Sequence, residues 1–237
     1  MTRLKYVVKN TAARFGKTAT FMPKPVEGLQ GSGMHVHMSL FRGDDNAFYD
    51  ESDDYDLSPT AKSFMAGLLR HAREITAVTN QTVNSYKRLV PNFEAPVHIS
   101  WARNNRSGLI RVPIAKQSNP LATRIEYRSP DPACNPYLAF SLMLAAGMKG
   151  IEEQYELPDE ADANLFEIDD AELERQGIGQ LPHSLHDALE IMEQSTLVRE
   201  ALGEHIFEWF LRNKREEWRS YKAHVSQWEL ERYLPTW

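Results

Sequence analysis

Two histidines spaced two apart, an Arg-x-Glu-x-Arg ladder and an arginine set between aliphatic residues are the side chains whose types and spacing could do chemistry here. Side chains alternate faces along an extended strand. In MHVHMSLF that alternation puts His35, His37 and Ser39 on one face and Met34, Val36, Met38 and Leu40 on the other. In TRIEYRS it puts Arg124, Glu126 and Arg128 together, opposite Ile125 and Tyr127. Arg111 lies between Ile110 and Val112, again a charge opposite an apolar face. Imidazole and carboxylate ligate hard and borderline metals. Guanidinium groups match phosphate and carboxylate oxygens with paired hydrogen bonds. Together they suggest a cleft for a metal ion, phosphates and a carboxylate substrate. The plainer alternative is a half-exposed sheet with its polar side in water, although such surfaces favour Thr, Lys and Glu over paired histidines.

Behind these strands, capping residues and periodicity predict the elements that must hold them. Ser58 and Pro59 open a helix as N-cap and first-turn residue, and Phe64, Leu68, Ala72 and Ile75 continue its apolar stripe to about Asn80. Asn135 and Pro136 open a second, apolar almost all round to Met148, which reads as a central core helix. Ser184 and Asp187 form a capping pair for a third, and a fourth runs from about Glu204 to Ala223. Strands are predicted at Met34–Phe41, Leu109–Val112 and Thr123–Arg128. The stretch 154–182, acidic with two glycines, reads as an excursion over the surface.

The bulk numbers narrow the class. The chain has 237 residues, 42% hydrophobic and 25% charged, with a net charge of −6, which argues against a general nucleic-acid binder. The longest nearly apolar run, Leu138–Met148, is too short to span a bilayer. The single cysteine, Cys134, permits no internal disulfide, so a cytoplasmic setting is the expectation. Gly16-Lys17-Thr18 invites a phosphate-loop reading, but that motif needs a glycine at position 11, where Thr11 stands. His35-x-His37 as a zinc pair stays a minor alternative, because no further ligands follow at suitable spacing.

Longer stretches carry a resemblance. KYVVKNTAARFGKTATFMPKP, GSGMHVHMSLF, NSYKRLVPNFEAPVHISWARNNRSGLIRVP and RIEYRSPDPACNPYLAFSLMLAAGMKGIE together resemble type I glutamine synthetase in order and spacing. The resemblance implies an α+β fold, with a curved antiparallel sheet lining the active-site cleft, backed by helices, and a C-terminal helical segment. Residues 1–153 would form the catalytic-domain core and 154–237 a C-terminal helical extension of it. The implied reaction is ATP-dependent ligation of ammonia to glutamate through a γ-glutamyl phosphate. His35 and Glu126 would hold Mg2+ or Mn2+. Gln30, Gly31, His35, Arg88, Glu94, Arg106 and Arg128 would meet glutamate. His37, Met38, Ser39, Arg106, Arg111 and Arg124 would meet ATP. Glu94, on a flap, would accept a proton from ammonium, and Arg106 would face the transferring phosphate. A homo-oligomer is implied, a dodecamer of two stacked rings in the family, with neither nucleic acid nor membrane as partner.

Three departures qualify the resemblance. The family's N-terminal β domain and the first part of its catalytic domain have no counterpart here, which leaves His35 and Glu126 as the metal ligands. The expectation is that this chain alone has little or no activity. Gln30 stands where the family usually has asparagine, and Phe166 where some members carry a modifiable tyrosine. Two alternatives stay open: a ligase that γ-glutamylates a polyamine or other amine, and a non-catalytic nucleotide-binding paralogue. The apolar tail Gln227–Trp237 would either enter a partner's groove or fold back on its own domain.

Overall fold

Helices begin where a polar side chain can take up the first free backbone N–H groups. In the computed structural model, which describes residues 1–90, 95–103, 107–113, 119–161, 165 and 168–236, each expected cap is made. The elements in chain order are α1 (Thr2–Arg14), β1 (Val36–Met38), β2 (Phe41–Arg42), β3 (Asp45–Asn46), α2 (Pro59–Arg70), α3 (Ala72–Thr79) and α4 (Ser85–Arg88). They continue with β4 (His98–Ala102), β5 (Gly108–Arg111), a 3-10 turn (Pro120–Ala122), β6 (Ile125–Tyr127) and α5 (Pro136–Glu152). Then come α6 (Asp170–Arg175), α7 (Leu185–Glu193), α8 (Thr196–Leu202), α9 (Glu204–Ala223) and α10 (Gln227–Tyr233). Ser58 Oγ accepts from the Ala61 N–H, Asn135 Oδ1 from Tyr137 and Ser184 Oγ from Asp187. The stripe read as one helix to Asn80 is two helices, broken at His71.

The central contact is α2 against α5. It is close because Gly67 and Gly150 face each other: a Cβ on Gly67 would stand 2.2 Å from the Ala146 carbonyl oxygen. Phe64 lies over Gly147, whose Cβ would reach 2.2 Å from its ring. Backbones that approach this closely admit no larger side chain. One expectation fails in part. The outer face of α5 exposes Tyr137, Phe140, Leu144 and Met148, so that helix is buried on one face only.

The α+β class holds, with a mixed sheet in the order β1-β6-β5-β4. β1 and β5 each pair antiparallel with β6, whereas β4 and β5 run parallel. This corrects the all-antiparallel expectation. Alternation tells which face a side chain takes but carries no information about the direction of the neighbouring strand. The outer edge of β4 is met by the 154–182 stretch, where Ile99 N–H donates to Gly179 O at 2.8 Å and Ala161 N–H to Trp101 O at 3.0 Å. That stretch also buries Ala161, Leu165 and Leu173 in a small cluster of its own. It is therefore an edge cover, not a bare excursion. α1 and α10 bury no residue, and Trp228 and Leu234 are exposed, so the described part of the tail, 227–236, does not fold back. No helix of the described residues is long and apolar enough to cross a membrane.

Candidate active site

Strand register builds one half of the site. Glu126 on β6 stands opposite His37 on β1 and opposite Arg111 on β5. The three side chains therefore share one face, while Ile125 and Tyr127 are fully buried on the other. Val36, Met38 and Leu40 pack toward the core as alternation requires, so the Met38 side chain points away from His37. Just before β1, His35 Nδ1 lies 2.7 Å from Glu126 Oε1. When Nδ1 carries the proton, the Nε2 lone pair is free to bind a cation. Arg111 Nε approaches Glu126 Oε2 to 2.6 Å, but off the N–H axis. That carboxylate oxygen is thus buried beside a cation with no hydrogen-bond donor of its own. Arg124 Nε donates to His37 Nδ1 at 3.3 Å.

The other half is a polar cavity of about 290 Å3 lined by Gln30, Gly31, Gly33, His35, Arg88, Ala95 and Arg128. Arg88, 4% exposed, is held from behind: its Nη1 donates to Ser129 O at 2.6 Å and its Nη2 to Arg128 O at 3.2 Å. Arg128, 6% exposed, donates from Nη1 to Gly108 O at 3.3 Å. Burial lowers the Arg88 pKa to about 10, which leaves it protonated at neutral pH. Two desolvated guanidiniums on one small cavity make a strong carboxylate receptor. Burial lowers the His35 pKa below its usual 6.5, and Arg128 and Arg88 push it the same way against Glu126. The imidazole is therefore neutral at pH 7, the form that ligates metals.

The structure thus brings Gln30, Gly31, His35, Arg88 and Arg128 together in one cavity. Glu126, Arg111, His37 and Arg124 continue from it along the sheet. Ser39 follows β1, half-buried. Glu94, Arg106 and Phe166 lie outside the described residues. A divalent cation fits beside His35 and Glu126 by the chemistry of the donors, an imidazole nitrogen and a carboxylate whose Oε2 is ion-paired with Arg111 but accepts no aligned hydrogen bond. These are two donors, and among the described residues no group of three or more His, Cys, Asp or Glu side chains is placed to hold a metal. Sequence reasoning missed the layer behind Arg88, where Asn80 and Asp131 are fully buried. Asn80 stands where the first helix is expected to end and Asp131 just past the strand expected at Thr123–Arg128, and neither position announces its partner.

Comparison with known proteins adds an independent finding. The family model described as glutamine synthetase, catalytic domain, matches residues 1–233. The glutamine synthetase of Mycolicibacterium smegmatis is 54% identical over 97% of this chain and 52% of its own length. That of Thermotoga maritima is 51% identical over 98% of this chain and 52% of its own. Among solved structures, one titled a GmaS/ADP complex superposes with a TM-score of 0.86 at 38% identity, covering 98% of this chain and 52% of that one. A ligand-free GmaS gives 0.84 at 40% identity, with 98% and 51% coverage. The chain spans about half the length of the curated relatives it matches.

Proposed function

The chain belongs to the family of the glutamine synthetase catalytic domain, and we propose that its site binds glutamate and metal-bound ATP for the ligation of ammonia to glutamate. The observation that carries this reading is the meeting of Arg88 and Arg128 with His35 in one small cavity, with Glu126 2.7 Å from His35. A cavity of about 290 Å3 is at the small end of ligand sites, which suits an amino acid better than a whole nucleotide. In this reading Arg88 and Arg128 hold glutamate carboxylates, and the backbone at Gly31 receives the amino-acid end. His37, Ser39, Arg111 and Arg124 offer imidazole, hydroxyl and guanidinium groups to the nucleotide. The ADP complex of a similar protein supports nucleotide binding at this fold.

Phosphoryl transfer from ATP to the glutamate side chain depends on positioning and on neutralising charge as it develops. His35 and Glu126 would hold Mg2+ or Mn2+, which would supply positive charge against the phosphates. Arg111, already beside Glu126, is close enough to share its attraction between the carboxylate and an incoming phosphate. Glu94 and Arg106 are proposed as the proton acceptor for ammonium and as the cation facing the transferring phosphate. An acyl phosphate hydrolyses readily, so a site that excludes water protects it.

Among the described residues His35 and Glu126 supply two donors where a divalent ion takes about six. We therefore propose that this chain binds its ligands but turns over little or no substrate alone. Titration calorimetry with L-glutamate and Mg-ATP on the purified chain, alongside a hydroxylamine γ-glutamyl transfer assay with Mn2+, tests both parts. Binding without transfer is the expected result. Robust transfer, or binding of neither ligand, contradicts it. A second reading rests on Gln30, which lines the cavity where the family usually has asparagine: a ligase for another acid or amine. Putrescine outcompeting ammonium in a complete enzyme carrying these residues would favour it. A cytoplasmic homo-oligomer fits the exposed apolar residues on α1, α5 and α10.

A further inference from the structure

We propose that Asp131 and Asn80 are positioning residues that hold the Arg88 guanidinium at the cavity wall and so set the affinity of that wall for a carboxylate. The inference rests on the glutamate reading above. It starts from a shared acceptor. The Ser129 carbonyl takes a hydrogen bond from Arg88 Nη1 at 2.6 Å and another from Asn80 Nδ2 at 2.8 Å. A carbonyl oxygen has two lone pairs, and both are used. Asn80 Nδ2 also donates to Asp131 Oδ2 at 3.0 Å, while Thr79 Oγ1 fixes the amide by donating to Asn80 Oδ1 at 2.9 Å. The network therefore runs from Asp131 through Asn80 and Ser129 to the guanidinium.

Asp131 is 0% exposed, as are Asn80 and Ser85 around it. Its Oδ1 accepts from the Ala133 N–H at 3.0 Å, and the Ser85 hydroxyl adds a further donor. Burial raises the Asp131 pKa above the usual carboxylate value, and the Ser85 hydroxyl, the Arg88 charge, Asn80 and the Ala133 N–H each pull it back down. When ionised, Asp131 compensates the buried Arg88 cation from the side away from the cavity. An arginine fully neutralised by a contacting acid would have little left for a substrate. Here the acid stands one carbonyl removed, so the cavity face of Arg88 keeps its donors.

The backbone repeats the arrangement. Asp131 N–H donates to Thr79 O at 3.3 Å and Met34 N–H to Pro130 O at 2.8 Å. The end of α3 therefore locates the 128–131 segment, which supplies both carbonyls on Arg88. On the opposite side a Cβ at Gly33 would stand 2.7 Å from Arg88 Nη2. The guanidinium is bounded by these two walls and opens only toward the cavity.

The test is a double-mutant comparison read by titration calorimetry with L-glutamate on the full 237-residue chain. Asp131→Asn keeps size and shape but removes the charge. It should weaken glutamate at least tenfold in the native background and less than twofold when combined with Arg88→Lys. Unchanged affinity in Asp131→Asn, or equal weakening in both backgrounds, overturns the proposal. Should Asp131→Asn fail to fold, Ser85→Ala removes one donor to the carboxylate. About threefold weakening is then expected, and none overturns. Nitrogen-15 NMR of the Arg88 guanidinium reads the positioning without substrate. A dispersed, slowly exchanging resonance that collapses toward free arginine in Asp131→Asn supports the proposal, and one unmoved by the substitution overturns it. Native chain that shows this NMR behaviour yet binds no glutamate sinks the functional reading and leaves the positioning role standing.

Discussion

The two halves of the site differ in how much protein stands behind them. Arg88 and Arg128 are 4% and 6% exposed, each tied to backbone carbonyls and facing a small cavity. The sheet face beyond is open: His37 is exposed, and the Arg111 side chain is 39% exposed. Charges held in a dry, fixed setting interact strongly and resist salt, whereas exposed ones are screened. The cavity half is therefore built before ligand arrives, and in the proposed reading the sheet half would take its final arrangement from nucleotide and metal. That split would suit the proposed reaction, in which the small substrate must be oriented and the triphosphate must come and go.

Substitutions should separate the halves. Removing one partner of a buried, hydrogen-bonded charge pair costs about 2–5 kcal/mol, so Arg88→Ala should weaken glutamate binding a hundredfold or more by calorimetry while Mg-ATP binding changes little. A similar loss for both ligands would break the comparison. Next in size, Glu126→Gln should reduce Mn2+ affinity by tenfold or more in an electron spin resonance titration, because it removes the anionic oxygen that lacks a donor. Gly33→Ala places a methyl 2.7 Å from Arg88 Nη2, and about tenfold weaker glutamate binding with an unchanged melting temperature is expected.

The pH dependence is gentler. The His35 pKa lies below 6.5, so the unfolded chain binds the extra proton first as pH falls. Stability contributed by neutral His35 is present above 6.5 and declines below it. Mn2+ affinity should stay flat from pH 8 to 6.5 and fall only under that, and His35→Asn should remove the decline. Arg124→Ala should have the smallest effect, a few-fold loss of Mg-ATP affinity that shrinks further at high salt, since its contact with His37 is exposed.

What could be seen in the sequence follows the range of each signal. Caps act within one turn, so Ser58, Asn135 and Ser184 announced their helices. Alternation in MHVHMSLF and TRIEYRS gave the faces of β1 and β6 and, with them, the His35, Glu126 and Arg111 grouping. Three features escaped for physical reasons. α1 has no side-chain cap at its start and buries nothing, so Leu4, Val7 and Val8, although at helical spacing, have no core in this chain to mark them. The parallel pairing of β4 and β5 depends on chain direction, to which alternation is blind. Asn80 and Asp131, 51 positions apart, meet only because the end of α3 lies under the 128–131 segment. The end of a helix or strand carries no local signal of what will pack against it.

The central claim is that the metal pair and the carboxylate cavity form one site. Paramagnetic relaxation of L-glutamate protons by Mn2+ tests it most directly, because the effect falls steeply with distance. Strong relaxation of bound glutamate that disappears in Glu126→Gln, with glutamate still bound, is the result this structure predicts. Glutamate that binds through Arg88 yet is untouched by Mn2+ would contradict it.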